Sequence, residues 1–247
     1  MNAPIMWFEG WSERIAEALG MQQFRQLDVP AVFSQRAGLG PLHTTRLYGM
    51  AWRSPALDLR STYIAGPKVE IINLMGFPGR PDLLPIFATE IIMFAGTPRV
   101  AVLDLQPVWM ANPHRAPLNG RLAEGLTRYA ASFADLPPGG DLPDWCRDYF
   151  TPHAIYSRPG DASAMPRLHQ AFEALAHHFR EAWLEQPMDD AAAPGGVVTT
   201  AQARAAAEAE MATYKRHHIE HSPGLPYLNK VFGAEWTAQY LQEFMYA

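Results

Sequence analysis

At 247 residues, with 48% apolar and 18% charged side chains, the chain has a globular composition and enough length for one large core. The net charge of −5 argues against a general nucleic-acid binder, which needs a basic surface to engage phosphates. A single cysteine, Cys146, excludes an internal disulfide framework and a cysteine-ligated iron–sulfur cluster, and fits a reducing cytosol.

In chain order, the start MNAPIMWFEGWSERI lacks the basic-then-apolar pattern of a secretory signal. No apolar run reaches the roughly 18 residues that cross a bilayer. A cytoplasmic protein without a membrane partner is expected. Residues 7–20 read as a helix stopped at Gly20, and 21–41, with Pro30, Gly38, Gly40 and Pro41, as a loop-rich lead-in. Five candidate strands follow: 42–52, 57–66, 68–77, 87–96 and 99–107. Their short Pro- or Gly-containing connections predict an antiparallel meander. In 69–77, Val69, Ile71, Asn73, Met75 and Phe77 share one face while Ile72 and Leu74 share the other, so both faces are apolar and both need a cover.

Covering helices are predicted over 163–185, where Leu168, Phe172, Leu175, Phe179 and Trp183 recur at spacings of three and four, and over 233–246. Between them, 189–198 reads as a linker, and Thr199-x-x-Gln202 as a capping box opening a helix to about residue 220. The expected fold is α/β: a single domain over 1–247, built as a three-layer α/β/α sandwich around a mainly antiparallel sheet. No glycine-rich nucleotide fingerprint occurs in a strand–turn–helix setting.

Two polar residues interrupt the apolar strands, Asn73 and Glu90, on either side of the connection FPGRPDLLP. A carboxylate among Ile, Phe and Met needs a partner, a proton or a chemical task. Glu90 is thus either an acid facing a pocket or a structural carboxylate paired with an arginine or a backbone donor; Asn73 is either a pocket residue or an amide that satisfies backbone at a strand irregularity. Among the nine histidines, His217 and His221 have a metal-compatible i,i+4 spacing but no obvious third ligand, so no metal is expected. Met211, Tyr214, His218 and His221 form an inward stripe, or the histidines simply favour a helix C-terminus.

Four blocks stand in a characteristic order: NLMGFPGRPDLLPIFATEII (73–92), VLDLQP (102–107), LPPGGDLPDWCRDYFTPHAIYSRP (136–159) and FGAEWTAQYLQEFMY (232–246). With them the chain resembles the ferredoxin-dependent bilin reductases from about residue 57 to its C-terminus. The resemblance implies an α/β/α sandwich holding an open-chain tetrapyrrole between the sheet and the C-terminal helices. It implies no bound flavin or metal: ferredoxin delivers electrons singly, the bilin passes through radicals, and protein acids supply protons. Glu90 falls where the family has its central aspartate, the main proton donor, with a side chain about 1.5 Å longer. Asn73 falls where phycocyanobilin-forming members have histidine and where phycoerythrobilin- and phytochromobilin-forming members have asparagine. Ser61 replaces a glutamate of the phycocyanobilin branch. Ser222 replaces a second catalytic aspartate of several members, with His221 as the candidate substitute. The expected catalytic set is Glu90, Asn73 and His221, and the expected substrate contacts are Ser61, Met75, Ser222 and His218. Asp104 and Arg158 are read as structural, serving a strand-end turn and a salt bridge.

The expected activity is reduction of biliverdin IXα or a dihydrobiliverdin to a phycobilin of phycoerythrobilin or phytochromobilin type. Expected partners are the bilin, ferredoxin and a downstream bilin acceptor protein, with the chain itself a monomer. A non-catalytic bilin-binding protein and a reductase of a chlorophyll-derived linear tetrapyrrole are the alternatives.

Overall fold

Alternating apolar runs with tight turns between them build the centre of the molecule. The structure, a computed structural model, describes residues 10–20, 24–108, 116–185 and 200–247. Helix α1 (Trp11–Ala18) is followed by β1 (Arg25–Gln26), α2 (Ala31–Ser34) and β2 (Gln35–Ala37). The five long strands are β3 (Arg46–Arg53), β4 (Leu57–Ala65), β5 (Val69–Pro78), β6 (Ile86–Phe94) and β7 (Thr97–Gln106). They pair in sequence order, all antiparallel, as the meander predicts. β1 and β2 flank β3 at one edge, and β8 (Ile155–Ser157) closes the other. The run predicted to 96 ends at Phe94, because Ala95 and Gly96 take positive φ (50° and 75°) in the two-residue turn to β7. Such a turn matches the right-handed twist of the strands it joins.

Helix α3 (Ala116–Ser132), α4 (Met165–Phe179) with a π turn over Arg180–Leu184, α5 (Ala201–His221), α6 (Leu225–Phe232) and α7 (Ala234–Tyr240) with a π turn over Leu241–Met245 complete the chain. One sheet face (Leu59, Ile72, Leu74, Phe87, Ile91, Leu103) packs on α1, α3 and the predicted stripe of α4, including Leu168, Phe172 and Phe179. The other (Leu47, Ile64, Met75, Phe77, Ile86, Ala88) packs on Met211, Tyr214, Phe232, Trp236 and Phe244 of the C-terminal helices. The result is the three-layer sandwich. Each large apolar side chain buried between layers is worth about 1.5–3 kcal/mol.

Helix α5 is capped one residue later than expected. The Thr200 side chain accepts from the N–H of Ala203, while Thr199, the linker at 189–198 and residues 7–9 of the first helix lie outside the described residues. Helices α3 and α6 and strand β8 have no counterpart in the sequence-based expectation. Pro226 stands in the first turn of α6, where a missing N–H costs nothing.

Candidate active site

Strand register puts Thr62, Asn73, Glu90 and Val102 side by side across β4–β7, with Tyr156 of β8 opposite Val102. Since side chains alternate, this whole row lies on the face that α5–α7 cover. That cover is incomplete. Met75, Phe77, Ile86 and Ala88 are at most 5% exposed, whereas Ile71, Asn73, Glu90, Ile92, Val100 and Val102 are each partly open. The uncovered part of this face, toward the β6–β7 turn, is an apolar-floored cleft that includes the row carrying Asn73 and Glu90.

Asn73 Nδ2 donates to Glu90 Oε1 at 3.2 Å, and its Oδ1, buried, has no hydrogen-bond partner among the described residues. Burial raises the Glu90 pKa, and the bond from Asn73 pulls it partly back; no cation contributes. Glu90 keeps some solvent contact through the cleft, but its depth among apolar atoms dominates. The structural explanation for Glu90, an arginine or a backbone donor across the sheet, is not what is found among the described residues; its partner is the Asn73 amide. An acid held so retains its proton to higher pH and sits where a ligand can meet it.

Two residues absent from the expected set stand over this row. The hydroxyls of Tyr240 and Thr62 are hydrogen-bonded, and Thr62 Oγ1 lies 3.6 Å from Met245 Sδ. Tyr240 and Tyr246 both have raised pKa values, first from burial and then from the nearby Glu90 charge. The i,i+4 recurrence of Trp236, Tyr240 and Phe244 was the available sequence signal for Tyr240; nothing comparable marks Tyr246.

The histidines sort differently from expectation. His218, only 6% exposed, stacks on Tyr214 with ring centroids 3.9 Å apart, and Tyr149 and Tyr246 pack around it. Its Nδ1 lies 2.9 Å from the Tyr214 carbonyl, so Nδ1 carries the hydrogen. Burial lowers its pKa to about 4, leaving a neutral ring whose Nε2 is an acceptor. His221, by contrast, is exposed: its ring stacks on His217 at 4.3 Å and its Nδ1 meets the His217 carbonyl at 3.0 Å. The expectation that His221 points inward is corrected, because Tyr214 and His218 share one stripe of α5 and His217 and His221 the next. His217 Nε2 is itself engaged by the Trp145 carbonyl at 2.5 Å. Among the described residues no three His, Cys, Asp or Glu side chains converge as metal ligands.

Ser61 is also corrected. It pairs with Leu74, is fully buried, and lies on the opposite face from Asn73 and Glu90, because Thr62 next to it occupies their row. Met75 lies on the cleft face one row away, at 5% exposure within the apolar core. Ser222 caps the end of α5, where its N–H donates to the His218 carbonyl and its Oγ accepts from Gly224 N at 3.3 Å. Asp104 behaves as a turn anchor: its oxygens accept from Thr151 N at 2.8 Å and Thr151 Oγ1 at 2.6 Å, while burial raises its pKa to about 7. Arg158 donates to the Tyr156 hydroxyl at 2.6 Å and covers that ring; the expected salt bridge is replaced by this aromatic contact.

A family model described as ferredoxin-dependent bilin reductase matches residues 12–247. The chain belongs to the ferredoxin-dependent bilin reductases. It is an oxidoreductase, and its electrons come from ferredoxin. Phycoerythrobilin:ferredoxin oxidoreductase of Gloeobacter violaceus is 24% identical over 243 residues, covering 97% of this chain and 94% of that protein. A 15,16-dihydrobiliverdin:ferredoxin oxidoreductase of Prochlorococcus marinus is 23% identical over 199 residues, covering 79% and 75%. Phytochromobilin synthase from tomato, solved in complex with biliverdin, shares the fold at a TM-score of 0.70 and 20% identity, covering 96% of this chain and 82% of that one. No helix among the described residues is long and apolar enough to cross a membrane.

Proposed function

We propose that the chain, acting as a single domain and a monomer, reduces biliverdin IXα or a dihydrobiliverdin with electrons taken singly from ferredoxin. The bilin lies in the cleft between the sheet and α5–α7. Glu90 supplies protons, and Asn73 holds Glu90 through Nδ2 while its unpartnered Oδ1 accepts from a pyrrole or lactam N–H. The observation that carries this reading is the Glu90 carboxyl on an apolar floor, bonded to Asn73 and with no cation to keep it ionised. Reducing one double bond consumes two electrons and two protons, and protonating the bilin makes it easier to reduce. An acid with a raised pKa can hold that proton near neutral pH. Ile71, Ile92, Val100 and Val102 form the apolar floor from which a bound bilin displaces water.

Asn73 favours a phycoerythrobilin- or phytochromobilin-type product over phycocyanobilin, and the two oxidoreductases named above support the same direction. His218 replaces His221 as the imidazole on the cleft side; being neutral, it accepts a hydrogen bond from the bilin rather than delivering a proton. The test is a biliverdin titration followed by anaerobic turnover with reduced ferredoxin. The biliverdin band should shift on binding and bleach on reduction, with a new bilin on chromatography. Binding without bleaching would make this a bilin-handling protein instead.

A further inference from the structure

Among the described residues, three large apolar side chains are notably exposed: Val32 at 43%, Leu39 at 47% and Phe94 at 45%. Two of them flank the junction of α6 and α7. The Val32 carbonyl accepts from Trp236 Nε1 at 2.9 Å, and Leu39 N donates to the Val231 carbonyl at 2.7 Å, beside exposed Lys230. Arg36 lies between them, its guanidinium 5.6 Å above the Trp236 ring. Arg46 pairs with Ala37 next to Arg36. None of Arg36, Arg46 and Lys230 forms an ion pair among the described residues. In a chain of net charge −5, Arg36 on the Trp236 ring and exposed Lys230 place two cations without ion pairs among the described residues beside this apolar centre, with exposed Glu235 as the acidic neighbour on α7. That suits an acidic protein which must dock and leave.

This surface is also joined to the cleft. Trp236 stacks on Tyr240 with centroids 5.0 Å apart and planes 12° from parallel. The Tyr240 hydroxyl is hydrogen-bonded to Thr62, which lies directly opposite Asn73, and Asn73 bonds Glu90. We propose that an acidic ferredoxin docks over Val32, Arg36, Leu39 and Lys230 and passes its electrons to the bound bilin through Trp236 and Tyr240. The assignment rests on the bilin reductase reading above and adds to it the face on which the carrier sits. Each transfer oxidises the carrier's reduced cluster by one electron and adds that electron to the bilin. The two rings form the path and keep their own oxidation state, and the accompanying proton comes from the cleft. The third exposed side chain, Phe94, stands near Lys68 and Arg99 at the β6–β7 turn, but no stacked ring pair among the described residues leads from it toward Glu90.

The test compares ferredoxin-driven turnover at low ionic strength with turnover driven by dithionite and methyl viologen. The variant Arg36→Glu/Lys230→Glu should raise the KM for ferredoxin about tenfold while biliverdin affinity and viologen-driven turnover stay at wild-type values. Trp236→Leu should slow single-turnover reduction by ferredoxin severalfold, and Trp236→Phe, which keeps a ring, should restore it. An unchanged KM in the charge-reversed variant overturns the docking face. So does a raised KM in Lys68→Glu/Arg99→Glu instead. A wild-type protein that turns over with neither electron source overturns the bilin reductase reading itself, and the surface with it.

Discussion

Glu90 owes its proton affinity to two opposed influences, burial raising it and the Asn73 amide lowering it. Removing the amide leaves burial unopposed. In Asn73→Ala the Glu90 pKa should rise further, so the fall in rate on the alkaline side of the pH profile moves to higher pH. A limb that stays in place would mean that Glu90 is not the group titrating. The Asn73–Glu90 juxtaposition was legible beforehand, because both interrupt apolar strands flanking one short connection, and antiparallel register makes them direct neighbours. Ser61 and His221 were not. Whether a residue faces the cleft depends on cross-strand parity for Ser61 and on helix phase for His221, and a one-residue difference changes the face.

At the scale of elements, the C-terminal segment is held on the sheet by a few specific fits. Arg60, 7% exposed, donates through Nε to the Phe244 carbonyl at 3.2 Å. Gly49 makes room below it: a Cβ there would lie 2.4 Å from the Phe33 carbonyl oxygen and 3.0 Å from the Phe244 ring. Gly49→Ala should therefore displace the segment and cost about 1–3 kcal/mol in urea unfolding, with weaker biliverdin binding. Wild-type stability would show that the segment is free to shift. The five long strands were readable from alternation and turns. Helix α3 was not, because Gly120 and Gly125 weaken its helical signal. Gly125 has a packing role instead: a Cβ there would come within 2.5 Å of the His178 ring on α4. Close helix contact of this kind leaves no periodic trace in sequence.

Across the whole molecule, buried titratable groups set the pH range of the fold. Burial lowers the pKa of His169 and His218 to about 4, and that of His178 in the same direction. Their neutral forms contribute stability that is complete above the unfolded value of about 6.5 and is lost as pH falls toward 4. Asp104 and Glu90, with raised values, work the other way: the contribution of Asp104 is present below 3.8 and lost as pH rises through about 7. Wild type should therefore lose more stability in urea unfolding between pH 7.5 and pH 4.5 than His169→Phe, whose ring cannot charge. An equal loss in the two proteins would contradict the assignment of that buried ring. The same apolar burial that penalises charge in the core gives Glu90 its raised proton affinity on the cleft face. The most direct measurement is anaerobic single-turnover reduction of bound biliverdin by reduced ferredoxin, comparing wild type with Glu90→Gln. Glu90→Gln should bind biliverdin as wild type does yet reduce it at least about a hundredfold more slowly, with radical absorbance accumulating. Reduction at the wild-type rate would contradict Glu90 as the proton donor.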